Sequence, residues 1–364
     1  MSGTNQSEIQ ALIDVSARLG GDPLLVQAGS GNTSVKLEGV LWIKASGKWL
    51  AHAAQEEILV PVDLVEIRSC IQRKTEFVAQ YTSPSGHRLV PSIETAMHAV
   101  VPRAATIHVH SVNTIAWAVR EDGPAHLADR LAGLRWQWIP YVGSGLPLAR
   151  EVEKTFSNSP ETEILVLGNH GLVVCGEDAR AAEDLLFQVE ERLAIDPRQV
   201  PEPDRALLQR IAHGSEWCLP DLEAVHALST DAISRTILVQ GILYPCQAIF
   251  LGPSTPVLAS SLPVSEAIER HECCNGARPR FFVVEESGVI MSESMTRAER
   301  EMLLGLAEVV RRIDAEANIR YLSQAELTSV LNAEAYRYRG LVENSEDTPL
   351  FPGVVRRHSA AVTG

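Results

Sequence analysis

The sequence predicts an α/β protein built from two units. Stretches with the two-residue alternation of strands are interleaved with stretches whose apolar residues recur at helical spacing, the pattern of helices packed on a sheet. At 364 residues the chain is too long for one ordinary hydrophobic core and too short for three. Pro197-Arg198-Gln199-Val200-Pro201-Glu202-Pro203 breaks both helix and sheet, and it separates a first unit, residues 1–198, from a second, residues 204–364.

Composition narrows the function classes. A formal net charge of −14, with no clustered Lys/Arg stripe to offset it, argues against a nucleic-acid partner. The start of the chain, Met1-Ser2-Gly3-Thr4-Asn5-Gln6, is polar and lacks the apolar centre of a secretion signal. No run of about 18 apolar residues is present to span a bilayer, so the expected location is the cytoplasm, with no membrane partner. Cys70, Cys175, Cys218, Cys246, Cys273 and Cys274 form no Cys-x-x-Cys and no regular framework, which fits reduced thiols. His271-Glu272-Cys273-Cys274 matches no structural zinc spacing.

Along the chain, Ile9, Leu12, Ile13, Ser16 and Leu19 share one face of a helix over residues 7–19, which Gly20-Gly21 stops. Gln27-Ala28-Gly29-Ser30-Gly31-Asn32-Thr33-Ser34-Val35 is a glycine-rich turn running into a strand. Its backbone N–H groups can approach an anion and Asn32 adds a side-chain donor, although a plain hairpin turn has the same look. It lacks the Lys-Ser/Thr of a nucleotide loop, and no Gly-x-Gly-x-x-Gly follows a strand, which removes the nucleotide readings. Leu41-Trp42-Ile43-Lys44-Ala45 alternates as a strand and ends in a second donor-rich turn, Ser46-Gly47-Lys48. Two such turns predict a phosphate or other oxyanion held by amides, hydroxyls and Lys48.

Pro91-Ser92 opens a helix with Ser92 as N-cap, Glu94 in the first turn, and Ala96, Met97, Val100 and Val101 as its apolar face. The helix dipole favours an ionised carboxylate there, which makes Glu94 a candidate base. His98 lies one turn on and is read as a packed structural histidine rather than a ligand. In Thr106-Ile107-His108-Val109-His110, extended geometry puts His108 and His110 on one side and turns Ile107 and Val109 into a core, giving half of a metal site. Residues 113–119 read as a helix, residues 136–145 as a strand ending in a loop, and residues 146–156 as a short helix. Ile164-Leu165-Val166-Leu167 is a buried strand that Asn169-His170-Gly171 turns back into residues 172–175, so His170 sits at the mouth of a sheet. A helix follows from Asp178 with Ala181, Leu185, Leu186, Val189 and Leu193 inward.

The second unit holds helical patterns near residues 205–213 and 221–227. Residues 282–290 and the helix over residues 297–312 then repeat residues 165–173 and their following helix at a constant offset of 117. Ser287 takes the place of His170 in this echo, so the copy has lost that ligand and its expected role is structural or oligomeric. Tyr321 leads into a short helical hairpin, and the last dozen residues look like a loose tail.

Three imidazoles, one carboxylate and two donor-rich turns suit one kind of chemistry. Three protein ligands leave positions on zinc open to substrate oxygens, and the ion polarises a carbonyl. Glu94 can exchange a proton at the adjacent carbon while the turns hold the far end of the substrate. These parts serve an enediolate, through which an aldol carbon–carbon bond is made or broken. Decarboxylation and epimerisation through the same species use the same parts.

Gly31-Asn32-Thr33-Ser34, Ser46-Gly47, Pro91-Ser92-Ile93-Glu94-Thr95, His108-Val109-His110, Ile139-Pro140-Tyr141 and Asn169-His170-Gly171 occur in that order over roughly residues 7–200. In this the sequence resembles the class II aldolase/adducin family, which includes fuculose- and rhamnulose-phosphate aldolases. The resemblance implies that His108, His110 and His170 bind Zn2+ or another divalent metal, that Glu94 is the acid/base, and that Asn32, Ser46, Gly47 and Ser92 line a phosphate site. It implies that Tyr141 protonates the product side from a neighbouring subunit. It also implies a three-layer α/β/α sandwich around a largely antiparallel sheet, a homotetramer with sites between subunits, and a sugar phosphate or sugar acid as substrate. Ile93 stands where fuculose-type enzymes place a second serine, which removes a hydroxyl from the phosphate site. The length beyond residue 200 resembles the larger rhamnulose-aldolase-related proteins and is expected to add a smaller α/β domain. The non-catalytic alternative is an adducin-like scaffold, and the three histidines with Glu94 oppose it.

Overall fold

A computed structural model describes residues 3–344 except residues 76, 78–80 and 87, so the expected tail lies outside the described residues. The strand patterns of the first half form β1 (Asn32–Leu37), β2 (Val40–Lys44), β3 (Leu59–Asp63), β4 (Tyr81–Thr82), β5 (Arg88–Leu89), β6 (Ala105–Val109), β7 (Trp136–Ile139), β8 (Ile164–Leu167) and β9 (Gly171–Gly176). β4 and β5 pair only with each other, and the other seven make one sheet in the order β3-β2-β1-β6-β9-β8-β7. Every neighbouring pair is antiparallel except β7–β8. Glu38 and Gly39, at φ 48° and 82°, supply the two positive-φ residues that let the tight turn between β1 and β2 match the twist of its strands.

Alternation along the strands gives this sheet two apolar faces. Val35, Ile107, Val109, Ile164, Val166, Leu172 and Val174 pack on one side against the helices Gly3–Gly20 and Ala179–Leu193. Leu41, Ile43, Leu165, Leu167 and Val173 pack on the other against the helices Leu64–Arg73, Thr95–Val100 and Leu146–Asn158. The result is the three-layer sandwich with a largely antiparallel sheet. The first helix begins four residues earlier than its apolar pattern and buries Val15 beside Leu12, Ser16 and Leu19. In the helix after Asp178, Ala182 faces the core and Ala181 faces solvent.

The second half is also mixed α/β. β10 (Trp217–Cys218), β11 (Val257–Leu258), β12 (Phe281–Val284) and β13 (Gly288–Ser292) form a sheet in the order β10-β13-β12-β11. The internal echo is present in three dimensions. β12 and β13 begin 117 residues after β8 and β9, and Glu286 (φ 55°) falls on Asn169 (φ 51°) in the intervening turns. The one parallel pair, β11–β12, occupies the place of β7–β8.

Residues 194–204 carry no helix or strand, yet the chain on either side of them shares a core. Ala28, Trp49, Val112, Ile115 and Val119 lie in one buried cluster with Phe250, Leu303, Leu306, Val310 and Val342. The helical hairpin is formed by Gln324–Val330 and Ala333–Asn344. All six cysteines are unpaired, and among the described residues no helix is long and apolar enough to cross a membrane.

Candidate metal centre

His108 lies on β6, between Asn32 of β1 and Val173 of β9, and His110 follows one residue past the end of the strand. His170 comes from the turn between β8 and β9. Asn169, at φ 51°, holds that turn by donating from its side-chain amide to the carbonyls of Leu243 (2.8 Å) and Arg320 (2.7 Å). Gly171 admits the close approach, since a Cβ there would stand 2.5 Å from the Val109 carbonyl oxygen and 3.4 Å from the rings of His108 and His110.

The three rings converge edge to face, with centroids 4.9–5.1 Å apart. Nε2 of His108 and Nε2 of His110 are 3.2 Å apart. Metal–nitrogen bonds of about 2.0–2.1 Å in a tetrahedron would separate two ligand nitrogens by about 3.3–3.4 Å, so the spacing fits one ion. The outward nitrogens of His108 and His110 have partners. Nδ1 of His108 donates to the Leu172 carbonyl (3.0 Å), and Nδ1 of His110 faces the Cys246 thiol at 3.6 Å, leaving both Nε2 atoms turned inward. Burial pushes the imidazole of His110 well down and that of His170 down to about 4, which favours the neutral form a metal requires. Among the described residues this is the one cluster of three such groups, and Cys273 and Cys274 are exposed.

Glu94 completes the group. Its carboxylate oxygens lie 3.4 Å from Nε2 of His108 and 3.3 Å from Nε2 of His170. Burial raises the carboxyl, but His108, His170, the Asn32 amide and His110 outweigh it and hold Glu94 well below the usual carboxylate range. The helix here departs from expectation. It begins at Thr95 with Glu94 itself at the N-cap, because the Ser92 hydroxyl accepts from the Glu94 N–H and the Ser92 carbonyl from Thr95.

Of the residues expected at a phosphate, Asn32 reaches this carboxylate, and Ser92 accepts from the Asn32 amide and the Glu94 N–H. Asn32 Nδ2 donates to Glu94 Oε2 (2.8 Å) and to the Ser92 hydroxyl (3.2 Å). His98 is the packed histidine: Nε2 donates to Asn32 Oδ1, and Nδ1 lies 2.7 Å from the Ser34 hydroxyl. Ser46 donates its N–H to the Val90 carbonyl, and Gly47 adopts φ 79° in the same turn. Lys48 is paired with Glu56 at 2.6 Å, so its charge is satisfied away from the turns. The amine inside is Lys44, buried at the end of β2, where burial pushes it down to about 7 and Nζ donates to the Gly29 carbonyl (2.5 Å). Tyr141 packs beside Ile242, Ala248, Leu322 and Leu327 with the Arg320 guanidinium over its ring, and burial pushes its hydroxyl up to about 12.

Three residues of this site escaped the sequence reading. Cys246 follows Tyr244-Pro245 with no periodic signal, and Ser144, 3.4 Å from Glu94 Oε1, belongs to a loop. Lys44 read only as an alternating strand position. His108 is fully buried and Glu94, His110 and His170 are 5–6% exposed, so the way in is narrow.

By geometry and donor set the three imidazoles can hold a divalent metal ion, with a carboxylate beside them. Residues 10–196, just over half of the chain, match the Class II Aldolase and Adducin N-terminal domain, and the chain belongs to that family. A curated relative from Bacillus subtilis (strain 168), named uncharacterized oxidoreductase YuxG, is 29% identical over 184 residues, which are 46% of this chain and 26% of the relative. The chain therefore spans about a quarter of that relative's length. Among solved structures, the N-terminal class II aldolase domain of a conserved protein from Thermoplasma acidophilum is 24% identical, with 51% of this chain and 92% of that one covered at a TM-score of 0.43. The l-fuculose-1-phosphate aldolase from Thermus thermophilus is 21% identical, with 51% and 91% covered at a TM-score of 0.37.

Proposed function

We propose that the chain is a zinc-dependent lyase of the class II aldolase type, making or breaking a carbon–carbon bond through an enediolate. The observation that carries this reading is Glu94, placed within 3.4 Å of two of the three clustered imidazoles with its carboxylate ionised by its surroundings. His108, His110 and His170 would hold a divalent ion, which when bound would supply Lewis-acid polarisation of a substrate carbonyl. Glu94 takes or returns the proton at the carbon beside that carbonyl, and a carboxylate confined by Asn32 and Ser144 needs little reorientation to do so. Ser34 and His98 hold the Asn32 amide so that its N–H side faces Glu94. Near-complete burial keeps water from the reacting carbon.

In this reading residues 1–198 carry the chemistry, and residues 204–364 brace it through Cys246, Leu243 and Arg320. The family likeness brings with it a cytoplasmic homotetramer and Tyr141 as proton donor on the product side. Light scattering and the turnover of Tyr141→Phe measure these.

The test combines metal analysis of the purified protein with product analysis on a panel of sugar phosphates and sugar acids. Bound divalent metal and two carbonyl fragments are the expected result. Carbon dioxide would make the protein a decarboxylase, and a product of unchanged mass an epimerase. A metal-free protein whose stability ignores chelator would identify a scaffold.

A further inference from the structure

The two glycine turns that resemble a phosphate site are occupied by the chain itself. Near the end of the helix Ala333–Asn344, Leu341 and Val342 lie directly on them. A Cβ on Gly47 would stand 2.4 Å from the Leu341 Cβ and 2.8 Å from its carbonyl carbon, and one on Gly29 would stand 2.7 Å from a Val342 methyl. The contact is built in rather than incidental. Val342 is wholly buried with Ala28 and Trp49, its carbonyl accepts from the Trp49 indole (3.3 Å), and Arg339 one turn earlier is ion-paired with Glu299 and Glu343. The glycines here make room for apolar side chains.

Several donors around the turns have internal partners. The Ala28 N–H donates to the Glu301 carboxylate (2.8 Å), so an anion of the chain already sits on the first turn. Ser30 N–H donates to Gln27 and Lys48 N–H to Ala45, and the Ser46 N–H, the Lys48 ammonium and the Asn32 side-chain amide are engaged as described above. A phosphate dianion needs several charge-assisted hydrogen bonds when it leaves water, and an apolar cover over the turns, with the Glu301 carboxylate already on one of their amides, offers the reverse. Ile93 in place of a serine acts in the same direction.

We propose that the chain acts on an unphosphorylated hydroxycarbonyl substrate, the helix Ala333–Asn344 having sealed the position where relatives would hold a phosphate. This rests on the metal-centre reading above. The test uses the full-length, zinc-loaded protein, with zinc content verified independently, and two ligands that share a metal-chelating head: glycolohydroxamate and its phosphate monoester. Calorimetry is expected to show the monoester binding no more tightly than glycolohydroxamate, and inorganic phosphate displacing neither. A monoester that binds about tenfold tighter or more, and is displaced by inorganic phosphate, would overturn the proposal. If neither hydroxamate binds the zinc-loaded protein, the metal-centre reading fails and this inference falls with it.

Discussion

The thiol of Cys246 lies 3.6 Å from Nδ1 of His110, so a residue from the second half of the chain completes the surroundings of a histidine from the first. Removing the partner of the outward ring nitrogen frees the imidazole to turn and lowers its basicity. Cys246→Ala is therefore expected to weaken zinc binding about 10–100-fold while leaving the protein folded. Titration against a competing chelator reads this directly, and an unchanged affinity would show that the thiol only fills space.

Glu94→Gln preserves shape and the Asn32 contact region but removes the proton acceptor. Metal content should stay at the wild-type level while turnover falls about 10²–10⁴-fold. Wild-type turnover in this variant would refute Glu94 as the base.

His170→Ala removes one of the three clustered imidazoles, which Gly171 and Asn169 place at some structural expense. The variant should purify without stoichiometric metal. Because bound metal stabilises only the folded state, chelator should lower the wild-type melting temperature and leave that of the variant unmoved. Full metal occupancy in His170→Ala would show the ligand set to be wrong.

His98 gives a pH signature separate from the metal. Burial holds its imidazole down to about 3 from the ordinary 6.5, so below pH 6.5 the unfolded chain binds a proton that the folded chain refuses. Its contribution to stability is complete above pH 6.5 and is lost as pH falls toward about 3, with a slope of up to about 1.4 kcal/mol per pH unit. The His98 ring resonance should stay in its neutral position from about pH 8 to about pH 5, whereas a midpoint near the ordinary histidine value of about 6.5 would contradict its enclosure.

Gly171→Ala would force a methyl to within 2.5 Å of the Val109 carbonyl oxygen, in the seam between β6 and β9. Neither strand can yield without disturbing the paired backbone. A stability loss of about 1–3 kcal/mol in urea unfolding, with reduced zinc occupancy, is the expected outcome.

Much of the scaffold was legible locally. The pairing of His108 with His110 on one side of β6, the helix ending at Gly20, and the turn at Asn169-His170-Gly171 follow from backbone periodicity and turn chemistry, which depend on residues a few positions apart. The echo at an offset of 117 was also legible, because a repeated strand-turn-strand-helix keeps its spacing even though Ser287 stands where the first copy has His170. Which groups face one another became visible only in three dimensions. Asn32 carries a donor suited to an anion site, but here it meets Glu94. Ser46-Gly47 has the form of a phosphate turn, and Leu341 lies on it. Cys246 reaches His110 across 136 residues. Local order along the chain was enough to set the secondary elements and to supply the residue types able to bind a metal. Whether a donor is left for a ligand depends on packing between distant segments, and no local pattern encodes that.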